Sequence, residues 1–288
     1  MTFLKKQSIK QTASKTADHS VSNNQITEGV IWKQLLIFFF PILFGTFFQQ
    51  LYNTVDAIIV GRFVGKQALA AVGGPTGTVI NLLIGFFVGL SSGATVIISQ
   101  YYGAKREEMV GYAVHTAITA SVISGAVLMV IGFVGAPFAL NAMGTPEDIV
   151  GFATLYMRIY FLGTIANLIY NIGSGILRAV GDSKRPLYFL IASCFTNIIL
   201  DIVFVVYFHM GIAGAALATI ISQCVSAFLV IWVLMRTSDM YQLHFSKLGL
   251  DMRMLKRIVR IGLPSGLQSA MYTTSNIIIQ SSVNSLGT

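Results

Sequence analysis

Seven long apolar segments, at about 33–61, 68–101, 109–135, 148–178, 186–207, 211–235 and 255–283, take up most of this chain. Each exceeds the roughly 20 residues that carry a helix across the hydrocarbon core of a bilayer. Backbone N–H and C=O groups inside lipid must be paired within the segment, which for runs of this length leaves the α-helix. The predicted fold class is therefore all-α, a polytopic membrane helical bundle. Composition points the same way: 10% of residues are charged, against roughly 25% in a soluble domain. A soluble enzyme and a secreted domain are excluded as classes. The longer segments have to tilt, kink or run past the headgroups.

The formal net charge of +8 would fit nucleic acid only if the basic residues shared one soluble face. They sit instead in short connections between apolar runs, so no nucleic-acid partner is expected and the bilayer is the implied surroundings. Alternate connections are unequal. One side holds Lys5, Lys6, Lys10, Lys15, Lys33, Lys105, Arg106, Arg178, Lys184, Arg185, Arg236, Lys247, Arg253, Lys256, Arg257 and Arg260; the other holds Arg62 and Lys66. This sixteen-to-two split predicts a cytoplasmic amino terminus and a multi-pass protein of the cytoplasmic membrane. The nineteenth basic residue, Arg158, falls inside a segment. Cys194 and Cys224 both lie in apolar runs, which gives neither a disulfide framework nor a thiolate metal site any support.

Polarity divides the chain into a disordered cytoplasmic tail over 1–29, a six-helix transmembrane lobe over 30–236, a cytoplasmic linker over 237–254 and a further helix over 255–288. The stretch IGLPSGLQSAMYTTSNIIIQSSVNSLGT is similar to the first segment, FFFPILFGTFFQQLYNTVDAIIVGRFVG: an early proline, Gln and Tyr in the following turns, an apolar end, then Gly. Matching Pro41 to Pro264 sets the two about one six-helix unit apart, the pattern of a duplicated transporter. On this basis the chain is expected to be a fragment whose second lobe is truncated after its first helix.

Acidic side chains at membrane depth are costly and mark function. Nine of the 11 acids lie in the tail or the connections; Asp56 and Asp201 lie within segments. At 1.5 Å per residue, Asp56 stands roughly 9 Å below Arg62 and Asp201 roughly 9 Å below Tyr207, a common level in the outer half of the membrane. Tyr156 and Thr219 fall within about 12–13 Å of the same side. Asn197 shares the helix face of Asp201, and Gln49 and Tyr52 share that of Asp56. Two carboxylates, two amides, two phenols and a hydroxyl therefore stand at similar depth. Two carboxylates in a poorly hydrated pocket resist being ionised together, so such a pair holds one proton between them or shares a bare Na⁺; the bland alternative is that each is hydrogen-bonded glue between helices.

Other residues carry less. Arg158 is expected to snorkel or to tie helices together, and His115 lacks a metal-ligand partner at helical spacing and reads as a packed or cavity-facing histidine. Gly85, Gly89 and Gly93, and Gly211, Gly214 and Ala218, predict close helix contacts. Pro41 and Pro75 remove backbone donors and should bend their helices. The 20 Phe and 11 Tyr mostly face lipid or neighbours, though some can line an aromatic cavity for a flat cation.

Four segments, QQLYNTVDAIIVGR with LAAVGG, GLSSGATVIISQYYGAKR, YNIGSGILRAVGDSKRP, and NIILDIVF with GIAGAALATIISQ, resemble the multidrug and toxic compound extrusion (MATE) family of secondary transporters. The resemblance runs from about residue 30 to the end. It implies two six-helix lobes in a V-shaped transporter exporting organic cations and drugs in exchange for H⁺ or Na⁺. It further implies that the cation site of the amino-terminal lobe falls on Asp56, Asn197, Asp201 and Thr219, with Gln49, Tyr52 and Tyr156 nearby or lining the substrate path. About seven helices are present where a complete member has twelve.

The expected function is thus a secondary active antiporter working by alternating access. It is not an enzyme, has no cofactor beyond the coupling ion, binds a small-molecule organic cation or drug, and is a monomer when full length. A lipid-linked precursor flippase of the same superfamily needs a basic central cavity, and Arg158 is the one basic residue the sequence places inside the membrane. An intramembrane aspartyl protease needs its acids a few ångströms apart beside water and substrate, and neither acid stands in a motif for that reaction. A non-transporting truncated remnant is the remaining alternative.

Overall fold

The computed structural model describes residues 30–285; the tail expected over 1–29 lies outside the described residues. Nine α-helices form within them. They are α1 (Ile31–Ile59), α2 (Lys66–Ala71), α3 (Gly77–Gly103), α4 (Glu107–Ala142), α5 (Glu147–Leu162), α6 (Thr164–Ala179), α7 (Lys184–Asp201), α8 (Gly211–Arg236) and α9 (Met252–Ser285). Among the described residues no strand occurs. Five spans are long and apolar enough to cross a membrane, and a sixth is made by α5 and α6 together.

Two apolar segments are broken, the second beside Pro75, where a bend was expected, and the fourth where the sequence suggested continuity. The second is split by a wide π-helical turn, Val72–Thr76, in which Gly74 leaves the helical region (φ −88°, ψ −117°) just before Pro75. The fourth bends by 51° between α5 and α6. The bend is accommodated by two residues. Gly163 has no side chain, and a Cβ there would come within 2.9 Å of Ile220 on α8. Thr164 then donates its hydroxyl to Phe161 O at 2.7 Å and lies 3.2 Å from Gly125 O, satisfying carbonyls at the break. Pro41, by contrast, sits inside α1 without interrupting it.

Wide turns also end the two acid-bearing helices. Val60–Val64 continues α1 and Ile202–Tyr207 continues α7, each π-helical. Their bonds span five residues, Gly65 N to Val60 O and Phe208 N to Val203 O. Asp201 is the last residue of α7 proper, and Asp56 lies one turn before the first wide turn.

The bundle has two apolar cores. One packs Ile98, Val110, Val114, Leu177, Val230 and Leu234 with Tyr241, Leu243 and Ile258. The other packs Val60, Ala71, Leu140, Met157, Phe161 and Ala215 at the opposite end. Around the first core the 100–106 turn, the start of α4, the end of α8 and the start of α9 converge. Tyr102 donates to Asp239 Oδ2 at 3.0 Å, and Arg257 meets Tyr101. Val64, beside Gly211, marks the other end. The basic connections among the described residues gather at the first of these ends, and Arg62 and Lys66 at the second.

The polar stretch after α8 is docked along the bundle. Tyr241 and Leu243 are buried, at 6% and 2% exposure. The backbone N–H of His244 donates to His115 Nε2 at 3.1 Å, that of Asp251 to Thr116 Oγ1 at 3.2 Å, and Asp251 Oδ1 caps α9 by accepting from Met254 N–H at 2.8 Å. His115 Nδ1 lies 2.6 Å from Gly111 O; with Nε2 accepting, Nδ1 carries the proton. His115 is thus a packed histidine that holds the connection. The last helix starts at Met252, and its polar run Gln268, Ser269, Thr273, Thr274, Ser275 and Asn276 leaves it outside the group of apolar spans. Four of those hydroxyls donate back to carbonyls one turn earlier, which lowers the cost of carrying them into an apolar setting.

Candidate ion site between α1 and α7

Asp56 and Asp201 are buried, at 6% and 0% exposure, although α1 as a whole is the least covered of the spans. They are direct electrostatic neighbours across the α1–α7 boundary. Thr219, buried on α8, donates to Ala215 O at 3.0 Å, which leaves its oxygen lone pairs free. Tyr52 and Tyr156 stand near Thr219 and Asp56. The structure therefore brings five of the seven sequence-predicted residues, Asp56, Asp201, Thr219, Tyr52 and Tyr156, into one cluster.

The other two stand beside it. Asn197 is fully buried one turn before Asp201 on the same face of α7. Gln49 lies farther down α1, in the wall of a neighbouring cavity that Tyr52 also lines. Arg158 pairs with neither acid; its guanidinium stands over the Phe133 ring at 5.4 Å.

Two residues escaped the sequence argument. Tyr160 stacks on Tyr156, ring centroids 6.0 Å apart, and accepts from Gln223 Nε2 at 3.4 Å. Each lies four residues beyond a chosen one, Tyr156 and Thr219, so the helical repeat was the signal that would have found them.

The cluster holds several acceptors without partners. Asp56 Oδ1, both carboxylate oxygens of Asp201 and both amide atoms of Asn197 are buried without a hydrogen-bond partner. A carboxylate cannot donate to a carboxylate unless a proton is added. The oxygen donor set suits a proton or a hard monovalent cation and lacks the imidazole and thiolate ligands of zinc or copper. Among the described residues no group of three or more His, Cys, Asp or Glu is placed to hold a metal ion.

The MatE family model matches residues 41–203, a stretch that includes Asp56, Asn197 and Asp201. The chain belongs to the MatE family. This MatE chain is 35% identical over 266 residues to the probable multidrug resistance protein YoeA of Bacillus subtilis (strain 168), a match covering 89% of the chain and 57% of YoeA. It is 32% identical over 268 residues to the probable multidrug resistance protein YpnP of the same organism, covering 91% of the chain and 58% of YpnP. A solved outward-facing multidrug resistance MATE transporter of the MOP superfamily superposes with a TM-score of 0.83 at 27% identity, over 91% of the chain and 58% of that structure. The chain thus spans under two thirds of the length of these relatives.

Proposed function

We propose that this MatE chain supplies the ion-coupled lobe of a secondary antiporter that exports drugs or organic cations in exchange for H⁺ or Na⁺. The observation that carries the proposal is the buried Asp56–Asp201 pair, acceptor-rich and flanked by Thr219, Tyr52 and Tyr156. Intramembrane acids of this kind are rarely structural. An ion that neutralises the pair changes the cost of holding both acids in a dry bundle, and it couples to movement only if its affinity differs between two arrangements of the helices. The wide turns that follow both acids are where such rearrangement is least costly, since π-helical turns mark functional adjustments within helices. Asn197 supplies further oxygen to the same ion, and Gln49 belongs to the substrate path.

The protein as the cell makes it, reconstituted in proteoliposomes, is expected to move a cationic dye against its gradient when an H⁺ or Na⁺ gradient is imposed and not otherwise. Failure of both gradients to drive the dye would overturn the proposal. The proposed orientation puts the basic end and the amino terminus in the cytoplasm. Cysteines substituted for Lys105 and Lys184 should then resist a membrane-impermeant maleimide added outside intact cells, and rapid labelling from outside would reverse the topology.

A further inference from the structure

Sequence reasoning placed Arg178 in a basic connection; the structure places it in the last turn of α6, half-buried, in the wall of a cavity of about 180 Å³. The cavity lies between α1, α6, α7 and α8 and runs from Arg178 and Pro186 at the basic end to Tyr52 and Gln223 beside the acid cluster. Arg178 is the one charged side chain lining it among the described residues. The acid nearest in sequence, Asp182, is engaged elsewhere. Its Oδ1 accepts the backbone N–H groups of Lys184 and Arg185, and its Oδ2 pairs with Arg185 Nε at 3.2 Å. Neither ion pair among the described residues includes Arg178.

Among the described residues no carboxylate lines the cavity to neutralise that charge. Thr46, Ser193 and Ser226 each donate their hydroxyl to a backbone carbonyl, and so does Tyr170, to Pro186 O at 3.2 Å. A guanidinium stays ionised at any accessible pH and offers a planar fork that matches a carboxylate. Along α1 the cavity extends from Pro41 to Tyr52, roughly 16 Å at the helical rise. It therefore carries a cation at one end and, one turn beyond Tyr52, the paired acids.

We infer that this cavity is a subsite for the anionic group of an amphipathic solute, with a carboxylate seated on Arg178 and the solute's cationic or aromatic end toward Tyr52. The inference rests on the export function proposed above and deepens it: zwitterions are held in preference to simple cations of the same shape. A lipid phosphate has the same chemistry and is the alternative source of the anion.

The test compares rhodamine B, a zwitterion with a free carboxylate, with its ethyl ester, a simple cation on the same ring system. Binding is followed by fluorescence polarisation to the purified full chain in phosphatidylcholine nanodiscs. The quantity read is the ratio of ester Kd to acid Kd within each protein, which does not depend on how much of a variant folds. A ratio of about ten is expected for the wild type, the size of one charge-assisted contact. Arg178→Gln should bring it to about one, and Arg178→Lys should leave an intermediate value, because an ammonium keeps the charge and loses the fork. Loss of the wild-type ratio when phosphatidylglycerol replaces part of the lipid, with no change in Arg178→Gln, supports the anion site and names lipid phosphate as its other occupant. A wild-type ratio of one in both lipids, or a ratio unchanged in Arg178→Gln, overturns the subsite and leaves the export function standing. Absence of binding of either dye to the wild type overturns both.

Discussion

Asp56→Asn is expected to reduce ion-driven dye export by at least about tenfold, to the level of passive leak, while the protein reaches the membrane in normal amount. The side chain keeps its size, and its new amide can donate to the partnerless oxygens of Asp201, so the α1–α7 contact gains a hydrogen bond where two carboxylates had none. Removing one of two buried charges is neutral or stabilising in many proteins, because the desolvation cost of an ionised acid is several kcal/mol. What is lost is the exchange of an ion at the pair, and with it any difference in ion affinity between two arrangements of the helices. The measurement is uptake into proteoliposomes with an imposed H⁺ or Na⁺ gradient as the sole driving force. Wild-type rates under those conditions would exclude Asp56 as a coupling residue and return the pair to structural glue.

The second large effect is on stability. Helices α3 and α9 meet through glycines on both sides. A Cβ on Gly89 would lie 2.6 Å from Gly266 Cα, and one on Gly93 would overlap Ile258 O and the backbone of Gly262, which itself abuts Leu90 O. The obstacles are backbone atoms, which cannot rotate away as a flexible side chain can. Overpacking costs typically 1–3 kcal/mol even where side chains can yield, so Gly93→Leu is expected to cost about 3 kcal/mol or more by levering α9 off α3. Thermal unfolding of the purified protein in detergent should show a drop of many degrees, and accessibility of a cysteine placed at Ile258 should rise. Gly85→Leu, on the same helix but with no heavy atom within 4 Å of its Cβ position, serves as the control. An unchanged melting temperature for Gly93→Leu would mean that the two helices are not held at this distance.

Six of the seven predicted crossings were readable in the sequence because hydrophobicity over 20 residues is a property of the segment alone; the seventh, over α9, is not among the apolar spans. The acids were readable for a related reason: a carboxylate inside an apolar run stands out whatever surrounds it. Breaks, docking and burial of individual residues depend on partners far away in the chain. Nothing in FLGTIAN announces that Gly163 lies against Ile220 and that Thr164 takes up carbonyls from two helices. The stretch 237–251 is polar by composition, yet its contacts with Tyr102, His115 and Thr116 come from residues more than a hundred positions earlier. Arg178 reads from the sequence as a connection residue, and only the end of α6 at Ala179 puts it inside the bundle. Tyr160 and Gln223 were within reach of the helical repeat, one turn beyond Tyr156 and Thr219.

The docked connection and the glycine contacts together make α9 a strut rather than a tethered rod. Its first turns meet α3 through Arg257, the connection leading into it is tied to α4 at Thr116 and His115, and its middle packs backbone to backbone against Leu90 and Phe86. A push on α9 is therefore passed to the basic ends of α3 and α4 with little lost in slack, as through a rigid bracket. The irregular joints nearest the acids lie elsewhere, at the Gly163 elbow and at the wide turns after Asp56 and Asp201. Strain arriving through the bracket would be released at those joints, two of which adjoin the acid pair.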